Sequence, residues 1–250
     1  RPMTFNFTPV LVILFLALSF VGKAQCLDGT YTIGGSFPDF ATFSAAVTEL
    51  ESEGVCGPVV FEIRTGAYNA QISIAEISGA SAINTITFRS ESGMNSDVIL
   101  QFASSATFSD PNYTLQLNGA DYTHFENMTI ERTGTSLYAR VIDFSGDASN
   151  NVFDGNIISG RATGTTSNDN SAVIFSEEDN AGIANNTFND NEILNGFAGI
   201  VWESNSSNSK PGLTVTNNTF SNYRYGLLVD YATDLVITGN TISNNPSNFN

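Results

Sequence analysis

Five short segments in the second half of the chain carry one pattern, and any fold must satisfy all five at once. They are FENMTI from Phe125, FDGNII from Phe153, IANNTF from Ile183, VTNNTF from Val215 and ITGNTI from Ile237. Each reads apolar, any, Gly or Asn, usually Asn, any, then Ile or Phe. Their starts lie 28, 30, 32 and 22 residues apart. A loose period of this length belongs to repeat architectures.

A second column precedes each copy. It reads LQLN from Leu115, IDFS from Ile142, VIFS from Val173, IVWE from Ile200 and LLVD from Leu227. The first and third residues are large and apolar, which is the period-two alternation of a strand with one buried face. Each repeat is therefore two or three short strands joined by tight turns. Asn suits the bend, and its amide can bond to the same amide one turn above and below. The pattern predicts a ladder of Asn156, Asn186, Asn218 and Asn240, broken by Met128 in the first copy. Stacked coils of this kind make a solenoid. A leucine-rich repeat would show fixed Leu spacing, a β-propeller a longer period, and a β-sandwich no Asn column. The expected fold is all-β, a right-handed parallel β-helix.

The first half differs. Phe40, Phe43, Val47 and Leu50 fall on one helical face, with Ser36 as N-cap, Asp39 three residues on and Gly54 as the stop. The spacing predicts a short amphipathic helix within residues 36–54 that caps the open end of the apolar core. Strands VVFEI, ISI, ITF and VILQF follow, with RTGAYNAQ and SESGMNSD as turns between them. FATFSAAV, then VVFEIRTGAYNAQISI, then NTITFRSESG resembles the pectin-lyase-like right-handed β-helix proteins, pectinesterases in particular, over residues 31–102. The later coils are similar to the generic β-helix repeats of secreted bacterial proteins. The resemblance implies the fold. No catalytic residue carries over, because the pectinesterase and polygalacturonase motifs have no counterpart here.

Composition narrows the function classes. The formal net charge is −16, with 9 basic against 25 acidic residues. Nucleic acid and anionic membrane both need a basic face and are excluded as partners. The run VLVILFLALSFV from Val10 to Val21 is too short to span a bilayer comfortably and reads as the core of a signal peptide over residues 1–25. Export is expected over a retained anchor, with no membrane span after signal removal, and the resemblance to secreted bacterial β-helix proteins implies the cell surface or exterior of a bacterium. Two cysteines, Cys26 and Cys56, then suggest one disulfide rather than two free thiols. Residues 26–57 form the cap and residues 58–250 the coils. A solenoid needs an end cap, so further C-terminal coils or domains are expected.

Chemistry-bearing motifs are sparse. There is no Cys-x-x-Cys, His-Glu-x-x-His, phosphate-binding loop or nucleophile elbow. GGSFPDF is Gly-rich but lacks phosphate-loop spacing, and the lone His124 reads as a surface or turn residue. Trp202 falls at an inward position. The best candidate comes from stacking. The outward fourth position of the second column holds Asn118, Ser145, Ser176, Glu203 and Asp230. Coils about 4.8 Å apart would set Glu203 beside Asp230, the spacing of a glycosidase carboxylate pair or of two ligands to Ca²⁺; the bland alternative is two solvated acids. Arg224 could meet a uronate carboxylate, and Tyr223 and Tyr225 could stack on sugar, or both tyrosines could be structural. Three functions compete: a non-catalytic surface module for adhesion or glycan contact, a polysaccharide lyase or hydrolase on uronate-rich chains, and a structural spacer. The first is the expectation, with no cofactor assigned beyond Ca²⁺ as a candidate.

Overall fold

A computed structural model describes residues 26–107, 111–161, 169–177, 182–222 and 224–244. The expected signal peptide lies outside the described residues, as does most of the loop from Gly160 to Ser171. The described chain winds through three parallel sheets that enclose one core. The first has eight strands: Leu27–Ile33, Val55–Ile63, Ile86–Ser90, Thr123–Glu126, Val152–Asp154, Thr187–Asn189, Thr214–Thr216 and Val236–Thr238. The second has seven, from Gly66–Asn69 to Thr241–Asn244, and the third six, from Ile72–Ala75 to Tyr225–Val229. Each coil visits the three sheets in turn, so every strand pairs in parallel with the strand one coil away. Gly66–Asn69 is thus a strand of the second sheet, where the sequence suggested only a turn. Among the described residues no helix is long and apolar enough to cross a membrane.

Alternation fixes which side chains enter the core. In the first sheet Phe61, Phe88, Phe125, Phe153 and Phe188 occupy one inward column in register. Their rings stack with centroids 4.7, 5.3, 5.0 and 5.2 Å apart and planes within 18° of parallel. Each is fully buried or nearly so, and burying one such side chain contributes roughly 1.5–3 kcal/mol. Leu100, Ile130, Ile158, Ile193 and Phe220 fill the second sheet's column.

Whereas the earlier corner at 91–97 has seven residues, from Asn127–Met128 on the corner from the first to the second sheet is two residues long in every coil, as at Gly155–Asn156 and Asn217–Asn218. Its first residue has positive φ: Asn127 at 50°, Gly155 at 66°, Asp190 at 54°, Asn217 at 57° and Gly239 at 70°. At Gly155 a Cβ would lie 2.6 Å from Asn127 Oδ1, so a side chain there would have to displace that amide. The second residue is the buried amide. Asn156, Asn191, Asn218 and Asn240 form one ladder: from Asn191 on, each Oδ1 accepts from the main-chain N–H and the Nδ2 of the Asn before it, and Asn156 Oδ1 accepts from the Met128 N–H. Each Nδ2 also donates to a carbonyl of the preceding coil, as Asn191 does to Phe153 O at 2.9 Å. Asn186 stands elsewhere. It pairs with Asn151 in a second ladder on the other flank of the first sheet, with Asn151 Nδ2 donating to its Oδ1 at 3.1 Å. The NNTF string occurs twice, but Phe188 pairs with Phe153 and with Val215. The true counterpart of FDGNII is therefore FNDNEI, with Asn191 in the ladder. The other two corners vary more, the one into the third sheet having eight residues at 134–141, three at 195–197 and two at 70–71.

The capping helix spans Phe43–Glu53, shorter than expected. Thr42, not Ser36, is the N-cap, its side chain accepting from the Ala45 N–H at 3.1 Å. Asp39 is occupied instead by Thr32, whose N–H and hydroxyl donate to its carboxylate. Phe43, Ala46, Val47 and Leu50 are buried, and Gly54 ends the helix at φ 67°. Cys26 and Cys56 are disulfide-bonded with Cα atoms 5.5 Å apart.

Candidate functional site

Glu203 and Asp230 follow the last residues of Ala198–Trp202 and Tyr225–Val229, strands paired in register with Trp202 beside Val229. Both line a cleft of about 350 Å³ together with Ser204, Leu228, Val229 and Tyr231. The preceding coil differs from expectation. Ile174 pairs with Ile142 and Ser176 with Phe144, so the strand is shifted by one and Ser176 points inward. Phe175 faces outward, where the Arg140 guanidinium lies 3.3 Å from its ring centre and Ala172, Ala198 and Val201 complete a small outer apolar cluster. The outward fourth position therefore belongs to Glu177, and three acidic residues follow one another along this edge. Behind them the fully buried Lys210 donates to Ser176 Oγ at 2.7 Å and to the carbonyls of Glu177 and Glu203, which fixes the backbone that carries two of the three.

Arg224 and Tyr225 do not join this cleft. They sit at the opposite end of the five-residue strand, roughly 17 Å away at the rise of a parallel strand. There Tyr225 packs edge-on against Phe197 at 5.5 Å, and the Arg224 guanidinium lies 5.9 and 5.3 Å from the two rings. Tyr223 lies outside the described residues. Trp202 is buried in the core against Phe144.

A second polar surface escaped the sequence reading. On the first sheet Glu62, Arg89, Glu126, Asp154, Asn189 and Thr216 occupy one outward column in consecutive coils. Arg89 donates through Nε and Nη2 to Glu62 Oε1 at 3.1 and 2.5 Å. Asn189 Nδ2 donates to Asp154 Oδ1 at 2.7 Å, and the Thr216 hydroxyl to Asn189 Oδ1 at 2.8 Å. Burial pushes the Glu126 carboxyl above its usual range; the charges of Asp154 and Glu62 add to this and Arg89 opposes it. The Glu62 interaction raises the Arg89 guanidinium further. His124 shares the outward face two residues before Glu126, and burial lowers its imidazole. The corner beside Glu126 opens into a cleft of about 300 Å³ lined by Glu62, Arg89, Ser92, Gly93, Glu91 and Glu126, among others. A signal for this column was present at the residue after the first apolar position of each copy, Glu126 and Asp154. Placing Phe188 rather than Ile183 in the third copy would have continued it to Asn189.

The first-sheet column can accept and donate hydrogen bonds along its length, and two of its carboxylates, Glu126 and Asp154, are neighbours. Among the described residues no group of three or more His, Cys, Asp or Glu side chains is placed to hold a metal ion.

Residues 95–249, more than half of the chain, match the family model described as right handed beta helix region. Among solved structures, the pectin methylesterase from Aspergillus niger in deglycosylated form is similar at 14% identity and a TM-score of 0.39, over 88% of this chain and 87% of that chain. A penultimately deglycosylated form of the same enzyme is similar at 14% identity and a TM-score of 0.39, over 90% of this chain and 88% of that one. No curated protein matches the chain.

Proposed function

The chain belongs to the family of right-handed β-helix regions, and from that premise we propose that it is a glycan-contacting module of the cell surface or exterior, without catalysis of its own. The observation that carries this reading is the outward column Glu62, Arg89, Glu126, Asp154, Asn189 and Thr216. It presents one polar side chain per coil, about 4.8 Å apart, a step that suits the repeating hydroxyls of an extended sugar chain. Most of its members hold one another by hydrogen bonds, so little side-chain freedom remains to be lost on binding.

A hydrolase or lyase reading keeps one supporting observation: Glu203 and Asp230 line a common cleft. Arg224, the residue expected to steady a uronate there, is at the far end of the strand. Fold analogy supports no chemistry by itself.

One experiment separates the readings. A panel of acidic and neutral polysaccharides is scored for binding and for cleavage, with and without Ca²⁺. Binding without cleavage is the expected result. Cleavage that disappears in a Glu203→Gln/Asp230→Asn double variant would instead make the protein an enzyme, and absence of both would leave a structural spacer.

A further inference from the structure

The geometry points to a subsite for neutral glycans at the corner formed by Phe37 and the cleft at Glu62, Arg89, Glu91 and Glu126, with Phe37 as the stacking platform. The inference rests on the glycan-contact reading and names its substrate class.

Phe37 is held at φ 50° and its side chain is fully exposed, at 100%. Both facts are unfavourable on their own. A left-handed backbone strains any residue with a Cβ, and Pro38 directly after it disfavours compact conformations further. An aromatic ring in water contributes nothing to the core. Strain of this kind persists only where surrounding structure imposes it, and it concentrates at binding sites.

The surroundings do impose it. The Arg64 guanidinium donates to Gly34 O at 3.3 Å and to Ser36 O. Asp39 is tied to Thr32 by three hydrogen bonds of 2.7–3.0 Å. Gly35, at φ 72°, admits the Arg64 side chain so closely that a Cβ would lie 2.6 Å from its Cδ. The loop is braced on both sides of the ring. An aromatic presented this way loses little entropy when something stacks on it.

The loop that carries the ring also has a polar neighbour. Arg64 is ion-paired with Glu91 at 3.6 Å, and Glu91 lines the cleft at the end of the first-sheet column. The Arg64 N–H bonds to Ile33 O and the Glu91 N–H to Ile63 O, so residues 34, 64 and 91 follow one another in successive coils. An exposed aromatic ring on a loop tied through Arg64 to the carboxylates of the cleft offers the two contacts that recognise a pyranose, a surface for its C–H face and acceptors for its hydroxyls. The charge balance selects among sugars. The cleft is lined by Glu62, Glu91 and Glu126; Arg89 is engaged with Glu62 and Arg64 with Glu91, which leaves one carboxylate in excess. A uronate would bring like charge to that wall, and a neutral hexose or pentose chain would not.

The test is calorimetric titration of the whole chain with cellohexaose, mannohexaose, xylohexaose and hexagalacturonate. At least one neutral oligosaccharide should bind about tenfold more tightly than hexagalacturonate. Phe37→Ala should weaken that binding about tenfold, Phe37→Trp should preserve it, and Phe37→Gly should weaken it while raising the melting temperature, because strain is released. Unchanged affinity in Phe37→Ala, or preference for hexagalacturonate, overturns the inference and leaves glycan contact standing elsewhere on the surface. Failure of every oligosaccharide and polysaccharide to bind overturns both.

Discussion

Asn191 Oδ1 accepts two hydrogen bonds from Asn156, from its main-chain N–H at 2.9 Å and its Nδ2 at 3.1 Å. Both side chains are buried, and neither amide has water to turn to. Asn191→Ala would strand those donors and also the Phe153 carbonyl that Asn191 serves. Each orphaned buried group costs about 1–3 kcal/mol, so the variant should lose about 3 kcal/mol or more in urea unfolding. A loss below about 1 kcal/mol would mean that the ladder is decoration.

The phenylalanine stack should be equally sensitive. Phe125 lies 5.3 Å from Phe88 and 5.0 Å from Phe153, and is 1% exposed. Phe125→Ala is expected to cost about 3–5 kcal/mol, whereas Phe125→Leu should cost less because more of the volume is kept. Equal stability of the two variants would argue that the column collapses around the gap.

Reduction of Cys26–Cys56 should destabilise the first coil. The bond joins residues 30 apart, a loop whose closure is worth about 3–4 kcal/mol in the chain-entropy account. The melting temperature should fall on adding dithiothreitol, and Cys26→Ser/Cys56→Ser should match the reduced protein. Insensitivity to reductant would show that the capping helix holds this end unaided.

His124 gives a pH test with a clean readout, since the chain has one histidine. Burial lowers its folded pKa below the ordinary 6.5. The unfolded chain therefore binds a proton that the folded chain refuses in that window. The associated stability is complete above pH 6.5 and is lost as pH falls through the depressed value. Imidazole resonances should titrate below 6.5, and His124→Gln should flatten the acid limb of the stability curve. A normal or raised midpoint would contradict the burial.

Period-two apolar alternation and the Asn recurrence made the solenoid legible, because both are consequences of backbone geometry that every coil repeats. Register was less legible. NNTF at residues 185–188 imitates NNTF at 217–220, yet only the pairing of Phe188 with Phe153 and Val215 reveals that Asn191 is the ladder residue. Val173 and Ile174 are both apolar, so alternation fitted either start, and the choice turns on Lys210 reaching Ser176 from another coil. Ser36 looks like a helix cap in one dimension, but Phe37 is left-handed and Asp39 is bound to Thr32. The column from Glu62 to Thr216 depends on contacts between residues 27 to 37 positions apart, which no local window weighs.

The two-residue corner has a consequence for how such a chain can change in length. One amino acid inserted between Gly155 and Asn156 would turn the next strand inside out, sending Ile158 to solvent and its neighbours to the interior. The same insertion among residues 134–141 would only lengthen an overhang. Indels and grafted peptides should therefore be tolerated at the roomy corners, while the tight one sets the pitch of the thread from Asn127–Met128 on.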